Sequence, residues 1–219
     1  MMENKREAVF RKLNPYVMGA FSLAVLVIGF RFVYLRDSYS SVLTFLSLLF
    51  LLIPSIFYRL CRMRPIYQLN FLVYIFSFVA YTFGTAMRGY NNFPGLDKAM
   101  HTLSGVLFTF VGLLLFYILK PGRQFDQRDF GQASVFSISF SMLIAVFWEI
   151  IEFVINFILH NDPQRVRATG VTDTMMDIIV CLAGSLIFWF SMCLYYKKDI
   201  KLLLTGIIDT YVKRHSAQS

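Results

Sequence analysis

Six long apolar stretches follow one another along this chain, and they restrict it to one class of fold. They lie near residues 15–34, 41–58, 68–87, 98–119, 133–158 and 173–196. Each is long enough to cross a hydrocarbon core of about 30 Å as a helix, which takes roughly 17–25 residues. Lipid offers no partner for backbone polar groups, so such segments must be helical. The sequence therefore predicts an all-α, polytopic membrane helix bundle with six transmembrane helices.

The composition supports a multi-pass membrane protein and argues against a nucleic-acid-binding protein. Hydrophobic residues make up 57% of the chain and charged residues only 16%, while the net charge is +8. The Lys and Arg residues lie between the apolar stretches, so no basic globular domain is available to bind DNA or RNA. We expect membrane lipids to be the partners of this chain, and we expect no nucleic acid.

The distribution of basic residues predicts the topology. If the N-terminus is cytoplasmic, fifteen of the 21 Lys and Arg residues lie on the inner side and six on the outer side. Cytoplasmic connections are enriched in these residues, so the chain is predicted to be N-in and C-in. Residues 1–196 are expected to form the six-helix transmembrane domain. Residues 197–219 are expected to form a cytoplasmic, amphipathic helical tail, which either lies on the membrane surface or packs against the bundle.

Polar residues form a single stripe along the fifth apolar stretch. They recur every three or four residues and therefore share one helix face, and the stripe comprises Ser137, Ser141, Ala145, Glu149, Glu152, Asn156 and His160. Hydrocarbon cannot solvate a carboxylate, so this face should point into the bundle. Pro54 lies inside the second stretch, and we expect it to kink that helix because it cannot donate a backbone hydrogen bond.

The fourth and sixth stretches add further acids at the same predicted depth. Asp97 and His101 are one helical turn apart on the fourth, and Asp173 and Asp177 are one turn apart on the sixth. The predicted topology brings these groups, with Glu149 and Glu152, into the outer half of the bilayer. Small residues on the same helices, chiefly Gly105, Gly112 and Gly184, should let the helices approach closely.

Several carboxylates held together in a membrane require compensation, and three kinds are available. A divalent metal can bind carboxylate oxygens and an imidazole, and the candidate ligands are Asp97, His101, Glu152, Asp173 and Asp177. Basic residues can pair with the acids or hold an anionic headgroup, for which the candidates are Arg31, Arg88 and Lys98. Some carboxyl groups can instead stay protonated and relay protons. Simpler roles exist for some of them: Asp97 and Asp173 can cap their helices, and Lys98 can extend to the membrane surface.

Three short strings resemble a known family. Asp97-Lys98 with His101, then Glu149 with Glu152, then Asp173 with Asp177, followed by Gly184, match in order on consecutive spans. In this pattern the chain resembles the YjdF-like bacterial membrane proteins and, more distantly, the VanZ-like proteins. Glu152 stands where the VanZ-like pattern has glutamine, which favours the YjdF-like resemblance. The resemblance implies an integral protein of the bacterial cell membrane and envelope, and it implies no particular reaction.

These observations leave three functions open. The first is an enzyme that acts on a lipid or lipid-linked envelope substrate, with Glu149, Glu152 and His101 as catalytic groups and a divalent metal as cofactor. The second is a small transporter or a proton- or ion-coupled carrier that uses the acidic cluster. The third is a non-catalytic envelope protein in which the acids are structural.

Overall fold

The structure is a computed structural model that describes residues 5–121, 126–159 and 162–208. It is 87% helical, and the described residues contain no strand. The helices are α1 Lys5–Tyr34, α2 Ser38–Leu46, α3 Ile53–Leu60, α4 Tyr67–Ser77, α5 Gly89–Asn92, α6 Leu96–Leu119, α7 Phe130–Leu159, α8 Val166–Thr169 and α9 Thr172–Lys198. Short 3-10 segments occupy Ser47–Leu52 and Gln127–Asp129, and a π-helical segment occupies Phe78–Ala86.

Six helical segments are long and apolar enough to cross a membrane, as the sequence predicts. They are Glu7–Tyr34, Ser38–Leu60, Tyr67–Ala86, Leu96–Leu119, Gln127–Ile158 and Thr172–Lys198. The all-α, six-span class is therefore confirmed, with most ends within a few residues of their predicted places. The first and fifth segments begin six to eight residues before their predicted starts, because the helix continues into the polar flanks. The N-in, C-in orientation stays a prediction.

The first three spans belong to one compact unit, Met1–Leu96. In it α1 packs against α2 and α4, and Phe21, Val25, Leu51 and Tyr74 form a buried core. The second span changes from α2 to a 3-10 segment before α3, whose second residue is Pro54. Proline lacks the backbone N–H that a continuous α-helix would use there, so the predicted interruption is present.

The last three spans belong to the second compact unit, Asp97–Ser219, and α6, α7 and α9 touch at their glycines. A Cβ on Gly105 would overlap the carbonyl oxygen of Cys181, and one on Gly184 would overlap that of Thr102. A Cβ on Gly112 would lie 2.9 Å from Cα of Ser137. The predicted role of these glycines is confirmed, since any side chain there would separate the helices.

The first four positions of the polar stripe on the fifth span face inward, as predicted, whereas Glu152 and Asn156 are half-buried and His160 lies outside the described residues. Ser137, Ser141, Ala145 and Glu149 are all buried, whereas residues on the other faces of α7 are exposed, among them Val135, Leu143, Phe147 and Phe153. The Ser141 hydroxyl donates to the Gly105 carbonyl at 3.2 Å and accepts a hydrogen bond from Ser185 at 3.0 Å. These hydroxyls bind α6, α7 and α9 to one another in the interior.

The tail after the sixth span is described only to residue 208. Residues 203–208 are helical, and Thr205, Ile207 and Ile208 are at least 98% buried. That burial favours packing against the protein over lying on the membrane surface. Residues 209–219, the remainder of the predicted tail, lie outside the described residues. The division of the chain at residue 196 stays a prediction; along the sequence, the first compact unit ends at Leu96 and the second begins at Asp97.

Candidate functional site

The ammonium group of Lys98 lies among three aspartates. Its Nζ donates to Asp173 Oδ1 and Asp177 Oδ1, both at 2.7 Å, and to Asp97 Oδ2 at 3.2 Å. Asp173 and Asp177 are 7% and 3% exposed. Hydrogen bonds between charged groups are the strong ones in proteins, more so away from water. Lys98 therefore connects the first turn of α6 to the first two turns of α9.

His101 completes the cluster from one turn further along α6. Its Nε2 is 3.7 Å from Asp97 Oδ1 and 3.6 Å from Asp177 Oδ1. One ligand atom from each of these three residues lies within 4.8 Å of the others, an arrangement that could hold a metal ion. Both carboxylates contact Lys98 as well as His101. Asp97 presents Oδ1 to His101 and Oδ2 to Lys98, whereas Asp177 presents Oδ1 to both.

The local sequence places these side chains at the beginnings of two helices. Asp97 is the second residue of α6 and Asp173 the second of α9, so both lie where free backbone amides and the helix dipole favour negative charge. His101 and Asp177 follow four residues later and therefore lie directly beneath them. The contact of Gly105 and Gly184 with the facing backbone brings the two helices close enough for Lys98 to span them.

A second carboxylate group lies on α7. Glu149 is 6% exposed, and Gln164 Nε2 donates both to its Oε2 at 3.1 Å and to its backbone carbonyl at 3.0 Å. The Oε1 atom of Glu149 is buried and has no hydrogen-bond partner among the described residues. A buried polar oxygen without a donor is rare, and a catalytic role or a bound ion is one explanation for it.

The loop before α8 brings Gln164 to that position. Asp162 accepts hydrogen bonds from the backbone N–H groups of Val166 at 2.8 Å and Arg167 at 3.2 Å. Arg165 has a left-handed backbone conformation, with φ of 51°. This turn directs the loop back over the end of α7 and buries Gln164 against Glu149.

Glu152 lies one turn along α7 from Glu149. Its Oε1 accepts a hydrogen bond from Trp148 Nε1 at 2.8 Å. Its carboxyl group interacts electrostatically with Glu149 and, more weakly, with Asp97 and Asp177. Glu152 is therefore within electrostatic range of Glu149 and of two acids of the Lys98 cluster.

The charges of the cluster do not cancel. Three aspartates surround one ammonium group, which leaves two negative charges when the His101 imidazole is neutral. Uncompensated charge is costly in a membrane interior. The cluster is therefore suited to a cation, or to protons, in addition to Lys98.

A comparison with protein families gives a match over most of the chain. The profile of a family described as "Predicted membrane protein (DUF2238)" covers residues 16–198. The chain belongs to the DUF2238 family. The YjdF-like proteins are this family, so that resemblance is confirmed, whereas the VanZ-like resemblance is not supported. No curated protein and no solved structure matches the chain.

The structure brings some of the predicted site residues of this DUF2238 protein together. Asp97, Lys98, His101, Asp173 and Asp177 form one cluster, and Glu149 and Glu152 form a neighbouring pair. Among the described residues, the three-donor group comprises Asp97, His101 and Asp177, and it includes neither Glu152 nor Asp173. Arg31 and Arg88 belong to the first unit, where Arg88 pairs with Asp37 at 3.0 Å. Their predicted role as phosphate ligands stays a prediction.

Sequence reasoning missed Gln164 altogether. It is a single glutamine in a polar loop, with no periodicity to indicate that it is buried. The pattern around it, an Asp two residues earlier followed by a short helix, indicates a turn but not where the glutamine points. Its contact with Glu149 arises only when the loop folds over α7.

Proposed function

We propose that this DUF2238 protein is a divalent-metal-dependent enzyme that acts on a lipid or lipid-linked substrate. The metal would bind Asp97, His101 and Asp177, and the Glu149–Glu152 pair would supply the acid or base. The observation that carries the proposal is the spacing of the three donor atoms. Two ligands about 2.0–2.1 Å from a tetrahedral ion lie roughly 3.3 Å apart, and His101 Nε2 lies 3.6 and 3.7 Å from its two carboxylate neighbours.

The composition of the donor set agrees with a catalytic metal. Two carboxylates and one imidazole suit Zn²⁺ or Mn²⁺, and three protein ligands leave coordination positions open for water and substrate. A metal bound in this way would polarise a substrate oxygen or activate a water molecule. The net charge of the cluster, two negative charges with neutral His101, matches one divalent ion.

Glu149 and Glu152 are placed to handle protons beside this centre. Glu149 has one oxygen fixed by Gln164 and a second, buried oxygen that no described residue contacts by a hydrogen bond. Glu152 interacts electrostatically with both Glu149 and Asp177. A fixed carboxyl group with a free oxygen can accept a proton, and its neighbour can pass the proton on.

A lipid or lipid-linked substrate fits the surroundings of the cluster. Exposed apolar side chains flank it on α7 and α9, including Trp148, Phe153 and Met176. In the predicted topology these residues face lipid in the outer leaflet. The acyl or isoprenoid part of a substrate could remain in the bilayer while its polar headgroup reaches the metal.

A non-catalytic protein with a structural acidic cluster is the second candidate function, and one observation favours it. Lys98 already ties the two helices together through Asp173 and Asp177, which a purely structural network would also do. A carrier is less well supported, because the backbones of α6 and α9 touch just below the cluster at Gly105 and Gly184. This contact closes the space between the two helices at that depth.

Metal content of the purified full-length protein tests the proposal. We expect about one equivalent of a divalent metal per chain, measured by plasma mass spectrometry in detergent. Asp177→Asn should lose this metal, whereas Glu152→Gln should keep it and lose activity on lipid substrates. The matched control is Asp129→Asn, which removes an ion-paired aspartate that binds Lys120 elsewhere in the same unit.

The outcomes separate the two candidates. A wild-type protein without metal, and without uptake of added Zn²⁺ or Mn²⁺, would refute the metal centre and leave the structural network. Loss of metal in Asp129→Asn as well as in Asp177→Asn would show that any broken ion pair disrupts the unit. Circular dichroism of every variant establishes that the helices remain folded.

A further inference from the structure

We infer that Lys98 determines the charge of the cation that this site accepts. Its single positive charge offsets one of the three aspartates, so that the net charge of the cluster matches a divalent ion. This inference rests on the proposed function, because it concerns the same metal centre. It gives Lys98 a role different from holding the phosphate group of a substrate.

The geometry links Lys98 to the proposed ligands through shared carboxylates. Asp177 Oδ1 is 2.7 Å from Lys98 Nζ and 3.6 Å from His101 Nε2, so it serves both groups. Asp97 presents Oδ2 to Lys98 and Oδ1 to His101. An ion held by Asp97, His101 and Asp177 would therefore share two carboxylates with the ammonium group. Each cation would sense the charge of the other directly.

Charge balance then selects the valence. Metal-bound histidine is neutral, so three aspartates and one ammonium leave two negative charges. A monovalent ion would leave one of them uncompensated, and a trivalent ion would leave an excess positive charge. Either imbalance is costly where water is scarce, and only a divalent ion makes the cluster neutral.

Substitution of Asp173 can compensate experimentally for the loss of the Lys98 charge. It accepts a hydrogen bond from Lys98 and does not belong to the three-donor group. Replacing Lys98 with glutamine changes the cluster from two to three negative charges. Replacing Asp173 with asparagine as well restores two negative charges and leaves every proposed ligand in place. Glu152 also interacts electrostatically with the cluster, but its charge is the same in all of these variants.

Titration calorimetry of the full-length protein in detergent tests this role, with Mn²⁺ and Tb³⁺ as probes at one pH and ionic strength. Coulomb interaction scales with the charge of the ion, so removing the ammonium should favour Tb³⁺ more than Mn²⁺. We expect Lys98→Gln to shift the Kd ratio toward Tb³⁺ by about tenfold or more. The double variant with Asp173→Asn should return close to the wild-type ratio, and Lys98→Arg should keep it.

A Lys98→Gln protein that binds Mn²⁺ with an unchanged ratio would overturn this inference and leave the metal centre intact. A wild-type protein that binds neither ion would refute the metal centre itself, and the role of Lys98 with it. If Lys98→Gln does not fold, Asp173→Asn alone supplies the test. Its cluster carries one negative charge, so its ratio must shift away from Tb³⁺, and an unshifted ratio would refute the inference.

Discussion

The contact between α6 and α9 offers the sharpest test of how this unit is assembled. Gly184→Ala would add one methyl group facing the backbone of Thr102. That Cβ would overlap the carbonyl oxygen and lie 2.9 Å from the carbonyl carbon, whereas ordinary contacts begin at 3.4 Å. The carbon contact alone requires the helices to separate by about 0.5 Å, and the oxygen requires more.

The size of the effect follows from two opposing contributions. Overpacking a close contact costs about 1–3 kcal/mol, and a collision with backbone falls at the upper end of that range. Alanine recovers up to about 1 kcal/mol because it favours the helix over glycine. We therefore expect Gly184→Ala to destabilise the protein by about 2 kcal/mol. Gly105→Ala should do the same, and the double variant should lose less than the sum, because both act on one contact.

Gly19→Ala is the matched control. Gly19 lies inside α1, and nothing comes within 4 Å of the position that its Cβ would take. This substitution should be neutral or stabilising by up to about 1 kcal/mol. Thermal unfolding in detergent measures all four variants, including the double variant. Equal stability of Gly184→Ala and Gly19→Ala would refute the close contact of α6 with α9.

The separation of α6 from α9 should also change the distances between the proposed metal ligands, and metal sites tolerate distance errors of only about 0.2 Å. Metal content of Gly184→Ala should fall even though Gly184 lies seven residues beyond Asp177. A stable Gly184→Ala protein with full metal content would contradict both expectations.

Two further predictions concern polar groups outside that contact. Asp37 caps α2 through Ser40 and pairs with Arg88, and these hydrogen bonds hold the pKa of its carboxyl group below its ordinary value of 3.8. Its charge therefore stabilises the protein at neutral pH, and this contribution is lost as the pH falls from about 3.8 through the lowered pKa. In thermal unfolding at low pH, the stability advantage of wild type over Asp37→Asn should shrink over that interval. An advantage that does not change with pH would contradict this prediction. Gln164→Leu should cost about 1–3 kcal/mol in thermal unfolding, because buried Glu149 would lose its side-chain donor. A neutral result would mean that Glu149 does not depend on Gln164.

Much of the fold could be predicted because a membrane imposes simple requirements. Each span must be about 20 residues long and apolar, and each polar face must avoid lipid. These two requirements predicted the six spans, and they predicted the burial of Ser137, Ser141 and Glu149 on one face of α7. A third rule, that small residues let membrane helices approach closely, predicted that the glycines of α6 and α9 lie where helices meet.

The details within the spans could not be predicted in the same way. The π-helical segment at Phe78–Ala86 has an apolar sequence like any other span, and its extra residue per turn leaves no periodic mark. The buried hydroxyl of Thr82 in this segment has no hydrogen-bond partner in the part of the chain that the structure describes. Local propensities differ too little between α and π geometry to distinguish them.

For the site, the sequence alone placed the acids, His101 and Lys98 at matching depths, because helical periodicity translates spacing directly into depth. It left open whether Lys98 extends to the membrane surface or pairs with the acids, since a flexible four-carbon side chain can do either. Only the tertiary structure places this ammonium group between Asp173 and Asp177. It also groups Asp97 and Asp177 around His101, with Glu152 outside the group. Finally, it brings Gln164 into contact with Glu149. These contacts depend on the rotation of α6, α7 and α9 about their axes and on the path of one loop. Such quantities are decided by how whole helices pack, which no short sequence pattern encodes.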